Sequence, residues 1–271
     1  MLQLVDRNFT LSRELLARTR KETAEQFAVT TCAEHPELFD ASVELENETW
    51  DELSFLDYTD AHHQHYEDIL ERFPEYHLCM IDLQSGELVA TGMCVPLHVP
   101  DLATLPREGW DWVVDTASNR NAKRANAVSA LSISVPEQHR HKGLARDMIN
   151  TMRALAAMHD FSRVIAPVRP SAKTRHPFVP MDQYLDWRDE RGRIYDPWLR
   201  SHVAVGGKVV GVCDRSMVVE QPIEFWRPWT WSTLEQDGSV PFKGALVPLE
   251  VDLASGVGRY VEPNVWVRHD V

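Results

Sequence analysis

No apolar run in this 271-residue chain approaches the ~18 residues of a membrane-spanning helix. The opening stretch MLQLVDRNFTLSRELLARTRKE turns charged and helix-periodic at once, without the apolar core of a secretory leader. Cysteine is scarce: Cys32, Cys79, Cys94 and Cys213 are scattered, form no C-x-x-C pair, and mostly lie in or near apolar runs, as buried free thiols do. These absences lead to the expectation of a cytoplasmic protein without a membrane partner. Positive charge is also short, with 28 Lys and Arg against 41 Asp and Glu and a formal net charge of −13. Proteins that track phosphate backbones usually show the opposite excess, so general nucleic-acid binding is not expected. The G-x-S-x-G elbow, the Walker A loop and the H-E-x-x-H zinc pattern are all missing, which removes several common enzyme classes.

What is present reads as a mixed α/β protein. FTLSRELLARTRKETAEQFAV offers Thr10 or Ser12 as a helix cap, with Leu15, Leu16 and Phe27 toward one face. A second helix is expected over residues 61–73, stopped by Pro74. YHLCMIDLQSGELVATGMCVPLHV alternates on both sides of Gln84-Ser85-Gly86, as a hairpin does. A strand over 127–135 follows. The clearest helix, 144–158, has Leu144, Met148, Met152 and Leu155 on one face. RVIAPV, residues 163–168, suits a buried strand. DPWLRSHVAVGG restarts a helix, with Asp196 as cap, Pro197 at the first position and Gly206-Gly207 at the end. KVVGVC and SMVVE make a further strand or pair, and the tail alternates again. With no linker, the expectation is one domain over 1–271. It divides into a helical part (1–75), a core (76–213) with an irregular insertion (172–195), and C-terminal strands (214–271).

The junction SVPEQHRHKGLA carries the first chemical signal. A strand that ends in a turn and passes into a helix N-terminus offers backbone N–H groups to an anion. Gly143 lets that backbone approach a phosphate, Ala145 keeps the first helical turn thin, and Arg140, His141 and Lys142 surround it. Read alone, the stretch is equally an ordinary turn with solvated basic residues. LSISVPEQHRHKGLARDMINTM, however, resembles the acetyl-CoA signature of the GNAT superfamily, R/Q-x-x-G-x-G/A at a helix start. Arg140, Gly143 and Ala145 stand at its three defining positions. The resemblance implies a mostly antiparallel sheet flanked by helices, with two central strands splayed apart. It implies acetyl-CoA or another acyl-CoA as cosubstrate, with no metal. The diphosphate would lie on the turn that runs through Leu144, and the pantetheine arm along Leu131, Ile133 and Val135.

Further along, many members of that superfamily carry a Tyr on a helix ending Y-x-x-x-G-F, which protonates the departing thiolate. Here HVAVGG places His202 at that position, and a histidine both gives and takes protons near neutral pH. The alternative is a helix-face histidine bonded to a carbonyl or to water. By the same resemblance Ser171 and Lys173, just past the 163–168 strand, lie near the acyl group, with Arg169 a weaker candidate of that kind. Solvated turn residues are the competing reading, favoured for Lys173. Trp198 and the aromatic run FWRPWTW with Trp229 are candidate substrate contacts, or core. RPSAK, DPWLRSH and EPNVWVRH resemble stretches of GNAT-like loading domains from natural-product pathways, which pair a His with a hydroxyl residue. His62, His63 and His65 in DAHHQHYED lack a shared helical face and read as solvated. Trp110 and Trp112 read as a docked helix, or a lid. Three functions follow: acyl transfer from acyl-CoA to an amine of a small molecule, malonyl decarboxylation with loading of a carrier-protein thiol, and non-catalytic acyl-CoA binding.

Overall fold

The computed structural model describes residues 12–120, 123–231 and 233–271. The helices are α1 (Ser12–Leu15), α2 (Lys21–Gln26), α3 (Phe39–Trp50), α4 (Asp60–Arg72), α5 (Gly109–Ser118), α6 (Leu144–Met158), α7 (Met181–Leu185), α8 (Pro197–Ala204) and α9 (Ile223–Trp226). The strands are β1 (Phe27–Thr31), β2 (His77–Asp82), β3 (Leu88–Leu97), β4 (Ala127–Ser134), β5 (Arg163–Val168), β6 (Lys208–Pro222), β7 (Gly238–Val240), β8 (Leu249–Asp252) and β9 (Val257–Asp270). They form one sheet in the order β1-β2-β3-β4-β5-β9-β8-β7, with β6 on the other edge of β9. Of its neighbouring pairs only β4–β5 is parallel, as expected where a strand, a crossover helix and the next strand follow one another.

The periodic segments fold where their patterns put them. Leu144, Met148, Met152 and Leu155 of α6 are all buried against the sheet, together with Leu15 and Leu16 of the N-terminal segment. The N-terminal region differs from the helical reading. Its helix breaks after Leu15, resumes as α2, and gives way at Phe27 to a strand that pairs antiparallel with β2. The run Phe27–Thr31 is buried at every position, and burial on the sheet edge overrides its helical phase. Thr10, one of the two candidate caps, lies outside the described residues. KVVGVC and SMVVE join into the single strand β6, which absorbs the intervening polar residues through a register shift between Cys213 and Met217 against β9, after a first shift at Val210.

The polar insertion is ordered by aromatic contacts and by one carboxylate. Tyr184, Trp187 and Tyr195 surround the ring of His176. Asp196 is buried. One of its oxygens caps α8 by accepting the N–H groups of Trp198 (2.9 Å) and Leu199 (3.0 Å). The other accepts from the Tyr184 hydroxyl (3.0 Å) and the Ala172 N–H (2.8 Å). The insertion is thereby tied at both ends to the helix that carries His202. No helix among the described residues is long and apolar enough to cross a membrane.

Candidate active site

β4 and β5 pair only at Val128–Val164 and Ser129–Ile165. β4 runs on to Ser134 and β5 to Val168, so beyond Ser129 the two strands diverge. A cleft of about 380 Å³ occupies the gap, with Ala130–Ile133 on one side and Ala166–Arg169 on the other. Across the top lie α3, the 3-10 segment Asp51–Tyr58 and α4, which contribute Glu46, Asp51, Asp57, His62 and Tyr66. On the β3 side β4 stays paired, with Leu131 bulged out of register between Met93 and Cys94. The β5-facing edge of β4 has no strand partner past Ser129; the Leu131 carbonyl in this stretch accepts from Nε1 of Trp110 (3.1 Å), and the other main-chain polar groups of that edge have no strand to bond.

Past β4, Glu137–His139 forms a single 3-10 turn, and Gly143 stands at the N-terminus of α6 with φ +83°. A side chain there would occupy the left-handed region, and its Cβ would lie 2.8 Å from Nη2 of Arg20. The Arg20 guanidinium donates to the Lys142 carbonyl (2.7 Å) and to the Asp147 carboxylate (2.6 Å), which also accepts from the Thr23 hydroxyl (2.7 Å). Asp147 is buried in the first turn of α6, where an uncompensated carboxylate would repel a phosphate. Arg20 neutralises it, and Arg140, His141 and Lys142 stand exposed around the turn. Helix N-terminus, left-handed glycine and neutralised carboxylate together fit the diphosphate of a coenzyme A thioester.

On the opposite wall, His202 of α8 is buried and borders the cleft beside Trp198, whose ring meets it edge-on at 4.5 Å between centroids. Its Nδ1 is 3.0 Å from Nε2 of His269 on β9. Burial and the second ring push the His202 pKa down to about 3, and burial with the nearby Arg153 pushes His269 down to about 4. Both rings are therefore neutral at physiological pH, and with Nδ1 engaged the nitrogen of His202 left for the cleft is Nε2.

The sequence pattern of the acetyltransferase (GNAT) family matches residues 42–179. The arginine N-acetyltransferase avaD of Aspergillus versicolor is 32% identical over 276 residues, covering 90% of this chain and 94% of the relative. The chain belongs to the GNAT family. Among solved structures, the loading GNATL domain of CurA from Lyngbya majuscula superimposes with a TM-score of 0.56 at 15% identity, covering 90% of this chain and 97% of that domain. The GNAT-like decarboxylase GphF in complex with isobutyryl-CoA gives 0.52 at 16% identity, covering 90% of this chain and 98% of that one. At such identities the two structures establish the shared fold.

Within this GNAT fold the sequence candidates separate. Leu131, Ile133, Arg169, Trp198 and His202 border the cleft. Val135 lies beyond it, its carbonyl accepting from Nε of Arg140 (3.3 Å). Lys173 is neither a solvated turn residue nor a substrate contact. It is fully buried, and its ammonium donates to the carbonyls of His176 (2.8 Å) and Leu246 (2.6 Å), fastening the insertion to the C-terminal segment. Ser171 is exposed and outside the cleft lining, so it is not paired with His202. Trp229 packs with Phe55 and Phe225 in the aromatic core rather than on the cleft. Arg169 reaches the cleft, but its Nε is held by both oxygens of the fully buried Glu262 (2.9 and 3.1 Å) and its Nη2 by the Gly244 carbonyl. That makes it part of the wall rather than a free cation.

Residues that sequence reasoning missed complete the picture. Arg20 and Asp147 meet across 127 positions, and no local pattern announces such a pair. His269 lies in EPNVWVRH, a stretch already distinctive in the sequence, yet only the sheet brings it to His202. Tyr66 donates to Glu46 (2.9 Å), and His62, expected as a solvated residue, stacks on Tyr66 at 4.6 Å and borders the cleft. Burial and the neighbouring Glu46 push Asp57 up to about 6. Burial pushes His62 down to about 4, leaving it neutral. The lining therefore carries four carboxylates, Glu46, Asp51, Asp57 and Glu262, against one guanidinium that is already paired.

Proposed function

We propose that this protein transfers an acyl group, acetyl in the simplest case, from acyl-CoA to an amine of a small cationic acceptor such as arginine. The observation that carries the reading is the charge of the splay cleft. Its acceptor side presents Glu46, Asp51 and Asp57 beside the rings of His62, Tyr66 and Trp110, with no lysine and no unpaired arginine in the lining. A low-dielectric pocket of that sign favours a cation and rejects an acidic acceptor. The arginine N-acetyltransferase that shares 32% of its residues supports the same class of acceptor. The acyl-CoA would enter from the Gly143 turn, with the free edge of β4 polarising the thioester carbonyl. The amine nitrogen then attacks the carbonyl carbon, the C–N bond forms, the C–S bond breaks, and the amine proton ends on the released sulfur. His202, neutral at the start, carries that proton. The carrier-loading alternative calls for a hydroxyl residue beside the histidine, and Ser171 lies outside the cleft.

The test is thiol release from acetyl-CoA over a panel of arginine, agmatine, lysine, a neutral amino acid and an acidic one. The cationic amines should be consumed with the highest kcat/KM, and His202→Ala should lower kcat by about 10²–10⁴-fold while acyl-CoA affinity is kept. No transfer to any cation, or preference for the acidic acceptor, refutes the acceptor class. An unchanged kcat in the His202 variant refutes its role.

A further inference from the structure

α8 ends in a way that leaves one slot beneath it. Gly206 takes φ +90° as the helix closes, and the Gly207 N–H donates to the His202 carbonyl (2.9 Å), so the backbone that bears His202 is pinned by its own cap. A Cβ on Gly207 would stand 2.7 Å from that carbonyl and 2.7 Å from Cε1 of His269. Only glycine leaves room there for the His269 ring to pass under the helix end. His269 itself sits in β9 opposite Val164 of β5, with its ring fully buried.

Meeting His202 costs His269 something, because its Nδ1 is buried with no hydrogen-bond partner. A leucine of similar size would fill that position but would strand the buried Nδ1 of His202, so what an imidazole adds there beyond packing is its bond to His202. We propose that His269 is the positioning residue of the active site: its Nε2 accepts the Nδ1–H of His202, fixing the ring orientation and the tautomer that leaves the Nε2 lone pair of His202 facing the acceptor amine. The inference rests on the reading of His202 as the proton carrier. One hydrogen lies between the two nitrogens 3.0 Å apart, so the tautomers of the rings are complementary. With that hydrogen on Nδ1 of His202, Nε2 takes the amine proton and passes the same proton to the departing sulfur, while His269 exchanges none. As positive charge develops on His202 during that relay, its Nδ1–H keeps its bond to a neutral acceptor, and the same burial that holds the resting ring neutral drives the proton on to the more basic sulfur. The charged groups around His269 are consistent with its staying neutral. Arg153 of α6 packs nearby, donating to the Asp270 and Val205 carbonyls (2.8 and 2.9 Å), and the Asp270 carboxylate is engaged by Lys208 at 3.0 Å.

The test compares His269→Leu, His269→Gln, His202→Ala and the His202→Ala/His269→Leu double variant in the full chain, using acetyl-CoA and arginine. His269→Leu should lower kcat by at least about tenfold, with KM for the acceptor and Kd for acetyl-CoA within about twofold of wild type. His269→Gln, whose amide oxygen can accept near the Nε2 position, should recover most of the loss, and the double variant should be no slower than His202→Ala alone. Thermal unfolding of His269→Leu should stay cooperative, with a midpoint lowered by the stranded His202 Nδ1 yet well above the assay temperature, which excludes loss of fold as the cause. Wild-type kcat in His269→Leu together with a slow His202→Ala overturns the positioning role and leaves His202 standing. A further loss in the double variant, or no recovery with glutamine, also overturns it. Wild-type kcat in His202→Ala removes the underlying reading and this inference together.

Discussion

Replacing Gly143 with alanine perturbs the anion cradle by one carbon, and the structure sets the size of the effect. At φ +83° an L-residue costs about 1–2 kcal/mol relative to glycine. The new Cβ also falls 2.8 Å from Nη2 of Arg20, the atom that bridges the Lys142 carbonyl and the Asp147 carboxylate. Nη2 of Arg20, the end of a half-exposed side chain, must shift, which loosens its bonds to the Lys142 carbonyl and Asp147 while Nε stays within reach of the carboxylate (3.1 Å). If the unliganded turn relaxes and only the complex bears the strain, acyl-CoA affinity drops about 5- to 30-fold, since each 1.4 kcal/mol is a factor of ten. If the turn keeps its shape, the strain appears as a lower melting temperature, and the loosened Arg20–Asp147 pair still weakens diphosphate binding. Calorimetric titration with coenzyme A, run beside thermal unfolding of the free protein, measures both effects. Arg20→Gln should weaken binding in the same direction without the backbone strain. Wild-type affinity in Gly143→Ala would refute the placement of the diphosphate on this turn.

The acid limb of kcat/KM for a cationic acceptor should lie near pH 6. Asp57 is held up to about 6, so it gains a proton and the cleft loses a negative charge as pH falls through that value. His202 stays neutral until about pH 3 and does not contribute to that limb. Asp57→Asn should therefore flatten the limb, and a limb that persists in that variant assigns it to another group. Arg169→Met should act on stability rather than on acceptor choice, because it leaves the fully exposure-free Glu262 with only the Tyr260 hydroxyl (2.7 Å) and the Asn264 amide (3.2 Å). An uncompensated buried charge costs about 3–5 kcal/mol. At roughly 2–4 °C per kcal/mol in a chain of this size, the melting temperature should fall by about 6–20 °C. Arg169→Met/Glu262→Gln should recover most of that loss, and wild-type stability in the single variant would show the pair to be dispensable.

Local chemistry was enough wherever one element carries its own information. The bounds of α6 follow from the spacing of four apolar residues, and those of α8 from Asp196, Pro197 and the terminal glycines, whereas the left-handed backbone at Gly143 came from the structure. The GNAT resemblance then correctly implied the fold with its diverging central strands, and in that fold His202 borders the cleft. Lys173 and Ser171 went astray for a common reason, and of the two readings of Trp229 the core one holds. Nearness to the strand end in sequence does not say whether a side chain turns to the cleft, to solvent or into the core, and packing made a different choice for each.

By itself the amino-acid sequence determined the helix and strand periodicities, the acidic balance and, through one motif, the family. Tertiary structure alone decided which distant groups meet. It brought Arg20 to Asp147, His269 to His202, and Glu46 and Asp57 to one cleft. The physical reason is that hydrogen-bonding periodicity and backbone conformation are properties of neighbours along the chain, whereas charge pairing, desolvation and proton state depend on what the packed sheet places within a few ångströms.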